Sequence, residues 1–144
     1  MKNKILNTSS VSTLIPRLIT GLIFLSEGLQ KFITPELVGA GRFAKIGFEH
    51  PEFWASFTGV FEILCGILLI IGLLTRLAAV PLFIIMVVAF ITTKYPILIE
   101  KGFFAFVHEY RTDFAMTLLL LFLLYFGGGN SSFDKKIFGQ RKKR

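Results

Sequence analysis

Residues 77–93 run without one charged side chain, and residues 114–133 do the same. Residues 53–75 carry a single charge, Glu62. A helix that crosses a bilayer needs about 20 mostly apolar residues at a rise of about 1.5 Å each. The runs at 53–75 and 77–93 meet that need with their flanks. The run that closes with Gly127-Gly128-Gly129-Asn130 meets it if its helix begins near Glu109. A further stretch, residues 13–33, is weaker because it holds Arg17, Glu27 and Lys31. The composition agrees with a lipid environment. Apolar residues are 53% and charged residues 17%, against roughly 25% charged in soluble domains, and mean hydropathy is +0.69. Disordered and fibrous classes are excluded, and the expected fold is an all-α, polytopic membrane four-helix bundle.

The first stretch is not read as a signal peptide. Lys2 and Lys4 give a positive start, but the apolar part continues past Arg17 and no A-x-A-like site follows. Charge bias sets the orientation. With both termini cytoplasmic, ten of the 16 Lys/Arg lie inside, six of them in the tail: Lys135, Lys136, Arg141, Lys142, Lys143 and Arg144. The six outside are matched by six acids. The positive-inside rule favours this arrangement in a bacterial inner membrane. The expected organisation is a cytoplasmic tail (1–12), a four-helix transmembrane domain (13–134) and a basic cytoplasmic tail (135–144). The outer links are residues 35–52, with a short helix expected at 42–46, and residues 95–108, an aromatic interfacial segment. His50 and His108 both read as loop residues.

The net charge of +7 does not point to nucleic acid. The basic residues gather after an apolar run, where they act as a topology signal and attract anionic lipid. One cysteine, Cys65, allows neither an intrachain disulfide nor a CxxC dithiol. Two histidines far apart in sequence offer no facing haem ligands, and no metal-ligand cluster stands out.

The informative residues are those that do not belong in hydrocarbon, where a charge costs about 2.5–3.5 kcal/mol on insertion scales. Arg17, Gly21, Phe24, Gly28 and Lys31 recur at helical spacing and share one face. Glu62, Gly66, Leu69, Gly72 and Arg76 do the same on the next span. The glycines permit close helix approach, so the two faces are expected to pack together through Gly21, Gly28, Gly66 and Gly72. At about 1.5 Å per residue, Glu62 falls between Glu27 and Arg17 in depth. Glu27 and Lys31, four apart, are expected to pair along their helix. Arg17 is expected to reach toward Glu62, and Asp113 to sit at the outer mouth. Arg17, Glu27, Lys31, Glu62 and Asp113 would then line a polar pocket in the outer half of the membrane. The alternative for the same residues is structural: ion pairs that fix register, and cations that snorkel to the two surfaces.

At these residues the chain resembles the DoxX family of small four-span membrane proteins. The resemblance runs through Arg17-x3-Gly21-x2-Phe24-x3-Gly28-x2-Lys31, then Gly39-Ala40-Gly41-x-Phe43 with Ile46-Gly47. It continues through Glu62-x3-Gly66-x2-Leu69-x2-Gly72-x2-Thr75-Arg76, and ends with Gly127-Gly128-Gly129 leading to Ser132-x-Asp134. It covers about residues 14–134. Asp113 stands where relatives often carry Glu, and Gly128 where many have Pro. The resemblance implies a redox setting: some relatives are subunits of a thiosulfate:quinone oxidoreductase, and others accompany membrane oxidoreductases that handle thiol or oxidative stress. Distant eukaryotic relatives resemble assembly factors for membrane receptors.

Two functions are expected on this basis. One is a redox-associated subunit that takes a quinone or another small lipophilic ligand in the polar pocket, with a membrane or soluble oxidoreductase as partner and no covalently bound cofactor. Glu62 and Glu27 would exchange protons there, and Arg17 and Lys31 would stabilise an anionic form. The other is a non-enzymatic scaffold or assembly factor. A transporter would need more spans or a homo-oligomer to form its path.

Overall fold

The structure is a computed structural model that describes residues 13–129 and 131–138. Among these residues the fold is entirely helical. Helix α1 spans Leu14–Ile33, α2 Ala40–Ile46 and α3 Pro51–Ile71. Helix α4, Thr75–Ala89, continues through a π-helical turn, Phe90–Lys94, into α5, Tyr95–Lys101. Helix α6 spans Phe103–Phe126 and α7 Phe133–Phe138.

Local chemistry sets the boundaries. Pro51 occupies the first turn of α3, where its missing N–H costs nothing. Gly72 ends α3 with φ 73°, and its N–H donates back to the Leu68 carbonyl at 2.9 Å. Leu74 then adopts φ 50°, a region that side chains disfavour. It is held there from the far end of the sequence. Asp134 accepts the Leu74 N–H at 2.6 Å and the Thr75 N–H at 3.0 Å, and so caps α4.

The expected helix at 42–46 is present, two residues longer at its start. Residues 95–108 differ from expectation. They form α5 and the first turns of α6, broken only at Gly102 with φ 83°. His108 therefore lies inside a helix, while His50 sits just before α3, as expected of a loop residue. Helix α6 begins at Phe103 rather than near Glu109. The Phe-rich run tolerates helix as well as loop, and charge pattern alone did not reveal this. Pro81 lies inside α4.

The four long helices α1, α3, α4 and α6 pack side by side, with α1 against α3 as the most extensive interface. Helices α3 with α4, α4 with α6, and α1 with α6 close the ring. Phe24, Leu69, Ala79, Leu82, Leu120 and Leu123 fill the centre. The outside is equally apolar: Phe57 is 46% exposed, Ile84 57% and Leu118 49%. A soluble protein of this size does not leave so continuous an apolar surface in water. Two segments, Pro51–Ile71 and Thr75–Lys101, are long and apolar enough to cross a membrane.

The bundle has two ends. Its foot holds the start of α1, the α3–α4 turn and the end of α6, and its head is the opposite end. The tails at 1–12 and 139–144 lie outside the described residues.

Candidate functional site

Helices α1 and α3 run antiparallel in a fixed register. A Cβ on Gly21 would stand 2.7 Å from the Gly66 carbonyl oxygen, and one on Gly66 would stand 2.9 Å from the Gly21 oxygen. One on Gly28 would stand 2.8 Å from the Gly59 oxygen. No side chain fits at these crossings, and their absence brings the two backbones together. Gly21, Gly28 and Gly66 thus pack as the sequence predicts. The partner of Gly28 is Gly59, three residues before the Glu62–Arg76 stripe and outside the predicted set. Gly72 has a different task. It turns the chain, and the Arg17 guanidinium lies over it, 2.5 Å from where a Cβ would be.

Within this seam Lys31 Nζ lies 2.6 Å from Glu62 Oε2. Both side chains are shielded, at 10% and 5% exposure. The pairing differs from the predicted Glu27–Lys31 pair, and side-chain direction explains why. In a helix each Cα–Cβ bond tilts toward the N-terminus. On α1 that tilt carries Lys31 away from the head and into the bundle. On α3, which runs the other way, it carries Glu62 up toward the head. The register places Glu62 about six residues deeper than Lys31, roughly 9 Å along the axis. The two side chains close that gap by leaning toward each other. Glu27 is half-buried nearby, and with Arg42 it acts electrostatically on Glu62.

The same tilt corrects the expectation for Arg17. It leans toward the foot and does not reach Glu62. Its Nε donates to the Leu69 carbonyl at 3.0 Å, Nη2 to Ile70 at 3.1 Å and Nη1 to Gly128 at 2.9 Å. Leu69 and Ile70 are among the last carbonyls of α3, which lack partners within the helix. A cation is favoured at that helix end. Thr13 adds a second donor to the Gly128 carbonyl at 3.0 Å. Arg17, 1% exposed, thereby ties α1, the end of α3 and the segment after α6 into one clasp. Asp134 completes it from α7.

Asp113 also lies elsewhere. It pairs with Lys94 at 3.3 Å, and Lys94 donates to the Glu109 carbonyl at 2.9 Å. This joins the π-helical turn to α6. Of the five predicted pocket residues, the structure therefore brings together Lys31, Glu62 and Glu27, and it separates Arg17 and Asp113. The residues missed were Lys94, Asp134 and Thr13. Asp134 stood in the Ser132-x-Asp134 motif without an assigned role. Cys65 is buried in the core, and among the described residues no group of His, Cys, Asp and Glu is placed to hold a metal.

An ammonium and a carboxylate in contact within an apolar bundle can take up and release a proton. They can also polarise an oxygen placed beside them. That capacity gains context from known proteins. The DoxX family model matches residues 12–95. The uncharacterized membrane protein Rv3486 of Mycobacterium tuberculosis is 47% identical over 132 residues, covering 88% of this chain and 81% of its own length. A Bacillus subtilis protein, CatD, provisionally named an oxidoreductase, is 38% identical over 85 residues, covering 58% of this chain and 60% of that protein. No solved structure matches the chain. The matched region holds α1, α3 and the Lys31–Glu62 pair, and on these findings the chain belongs to the DoxX family of membrane proteins.

Proposed function

We propose that the chain is a four-span protein of the bacterial inner membrane with both termini cytoplasmic, and that it serves a redox complex. Its working site is the head-side cluster of Lys31, Glu62 and Glu27. The observation that carries this reading is the Lys31–Glu62 contact, 2.6 Å long and shielded within the α1–α3 seam. An intramembrane ionisable pair is a functional candidate by default. The provisional name of the Bacillus subtilis relative supports a redox setting. The four spans rest on α1 and α6 lying alongside the two apolar segments, with their charges drawn into pairs or toward their ends.

The ligand class is a quinone or a similar small lipophilic carbonyl compound. The donor set fits it: one ammonium that can donate to a carbonyl oxygen and one carboxylate that can hold a proton. A quinone there would supply two-electron, two-proton chemistry. The chain's part is to orient the carbonyl at Lys31 Nζ, to hold a proton at Glu62 and to keep both from bulk water. With one cysteine and no dithiol, electrons pass directly between bound substrate and ligand or arrive from a partner subunit.

In native membranes Glu62→Gln is expected to cut quinone-linked turnover by about 10²-fold or more, as loss of a positioned acid–base group does. Turnover equal to wild type, with the protein folded, refutes the reading. One observation favours the scaffold alternative: Arg17 and Asp134 are both engaged in holding the bundle together. A stoichiometric partner that co-purifies in mild detergent, undiminished by Glu62→Gln and without quinone turnover, would favour that alternative.

A further inference from the structure

The Lys31–Glu62 pair is shielded on all sides, but not equally. Gly28 faces Gly59 across the α1–α3 seam, and Gly21 faces Gly66 at the same offset. By that register Glu62 stands opposite Leu25, and Lys31 opposite Ser56. The two side chains lean toward each other, so their contact falls midway, at the depth of the Gly28–Gly59 crossing. The Glu62 Cβ is 3.0 Å from where a Cβ on Gly28 would stand, which puts the pair directly behind that crossing. Its inner side is the core. Cys65 and Leu69 follow Glu62 at helical spacing and are buried, and Phe24 and Gly28 precede Lys31 on the buried face of α1.

The lipid side is thinner. Neither glycine offers a side chain, so the crossing is covered by two neighbours. Ile63 closes it toward the foot, its Cγ1 2.8 Å from the place of a Gly28 Cβ. A β-branched side chain in a helix is stiff. Phe32 closes it toward the head. The ring leans back over Gly59, with Cε2 2.8 Å and Cζ 3.2 Å from where a Cβ would stand, and the residue is 48% exposed. Among the described residues Phe32 joins no ring pair, whereas Phe57 and Phe61 stack along the outer face of α3. The crossing is five residues below the end of α1, roughly 7.5 Å. Trp54 stands opposite that end in the same register, a residue type that settles at headgroup level. The Phe32 ring therefore lies just inside the hydrocarbon layer, at the depth of the ion pair, and one swing about its own bonds removes it from the glycine. We propose that Phe32 is a lateral gate: swung off Gly59, it opens the Lys31–Glu62 pair to the hydrocarbon layer, so that the site takes an uncharged ligand dissolved in lipid and not one from water. The proposal rests on the four-span arrangement and on this pair as the working site, but not on the ligand being a quinone.

The test is the reactivity of Glu62 toward carbodiimides. The carboxyl adds across one C=N bond: its oxygen bonds to the central carbon, its proton goes to nitrogen, and an acyl shift to nitrogen leaves a stable N-acylurea. Nothing leaves, and no oxidant or reductant takes part. The full chain in phosphatidylcholine vesicles is treated with lipid-soluble dicyclohexylcarbodiimide or with a water-soluble cationic carbodiimide, and the modified Glu62 peptide is followed by mass spectrometry. Wild type is expected to react with the first reagent and not with the second. Phe32→Ala should raise the lipid-phase rate about tenfold or more, since a closed gate leaves its open state about 10% populated or less. Gly59→Ala should raise it too, because its methyl group meets the far end of the Phe32 ring while the Gly28 oxygen stays at an ordinary 3.5 Å. In the Phe32→Ala background Gly59→Ala should add nothing, a coupling that general loosening does not produce. Phe57→Ala, which removes an exposed ring elsewhere on α3, should leave the rate unchanged. The proposal is overturned by an unreactive wild type, by equal reaction with the water-soluble reagent, or by a rate that Phe32→Ala does not alter. Independent addition of the two effects, or an equal rise in Phe57→Ala, overturns it as well. Should Phe32→Ala fail to fold, Gly59→Ala decides by the same criterion. Reaction from lipid without quinone turnover would sink the redox reading alone, and turnover with a carbodiimide rate indifferent to Phe32 would sink the gate alone.

Discussion

At the scale of single residues, the bundle contains two cations with opposite fates. Lys31 turns inward to a carboxylate, and Arg17 turns toward carbonyls. Removing one partner of a shielded ion pair leaves the other charge uncompensated, a loss of about 3–5 kcal/mol. Lys31→Met is therefore expected to lower the melting temperature in detergent sharply. The double variant Lys31→Met/Glu62→Met should return to within about 1 kcal/mol of wild type, because well-packed apolar residues replace such pairs at little cost. Recovery of stability without recovery of turnover would separate the pair's chemistry from its packing. Arg17→Lys keeps the charge but not the planar fork that reaches three carbonyls. Loss of two charge-assisted hydrogen bonds predicts a destabilisation of about 3–6 kcal/mol, read from thermal unfolding. An unchanged midpoint would show that the clasp does not depend on guanidinium geometry.

At the scale of elements, the α1–α3 seam depends on missing side chains. Gly66→Ala would place a methyl group 2.9 Å from the Gly21 carbonyl oxygen, against backbone that cannot swing aside. Overpacking of this kind costs about 1–3 kcal/mol. It should also lengthen the Lys31–Glu62 contact, since the same seam sets their spacing. Thermal unfolding checks the first effect, and the vibrational signature of the Glu62 carboxylate checks the second. The start of α4 is an element held from far away. Asp134→Asn offers one carbonyl oxygen where two carboxylate oxygens now accept. A loss of about 1 kcal/mol is expected, the usual worth of a cap. Faster hydrogen exchange at Leu74 and Thr75 would accompany it.

At the scale of the whole molecule, the proposed orientation puts the foot in the cytoplasm. In a Cys65→Ala background, cysteines at Ser9, Leu74 and Ser131 are expected to react only with reagents that reach the cytoplasmic face; Thr75, the neighbour of Leu74 in the same turn, is fully buried and cannot report. Labelling of Leu74→Cys from the periplasm would invert the arrangement. Ser9 tests a tail outside the described residues, so its labelling informs orientation alone.

The sequence by itself determined the all-helical class, the long helices and the glycine-bearing faces of α1 and α3, because hydropathy and the 3.6-residue period are local properties of the chain. It also singled out Lys31 and Glu62 as residues needing partners, since a charge inside an apolar run is conspicuous wherever the helix ends up. Who those partners are was decided only by tertiary structure. Spacing says which residues share a face, but not how two antiparallel helices are offset or that their side chains lean in opposite directions. Hence Lys31 met Glu62 rather than Glu27, Arg17 met the end of α3 and Gly128, and Asp113 met Lys94. The clasp of Asp134 on α4 joins residues about 60 positions apart, a contact that no local pattern in the chain encodes.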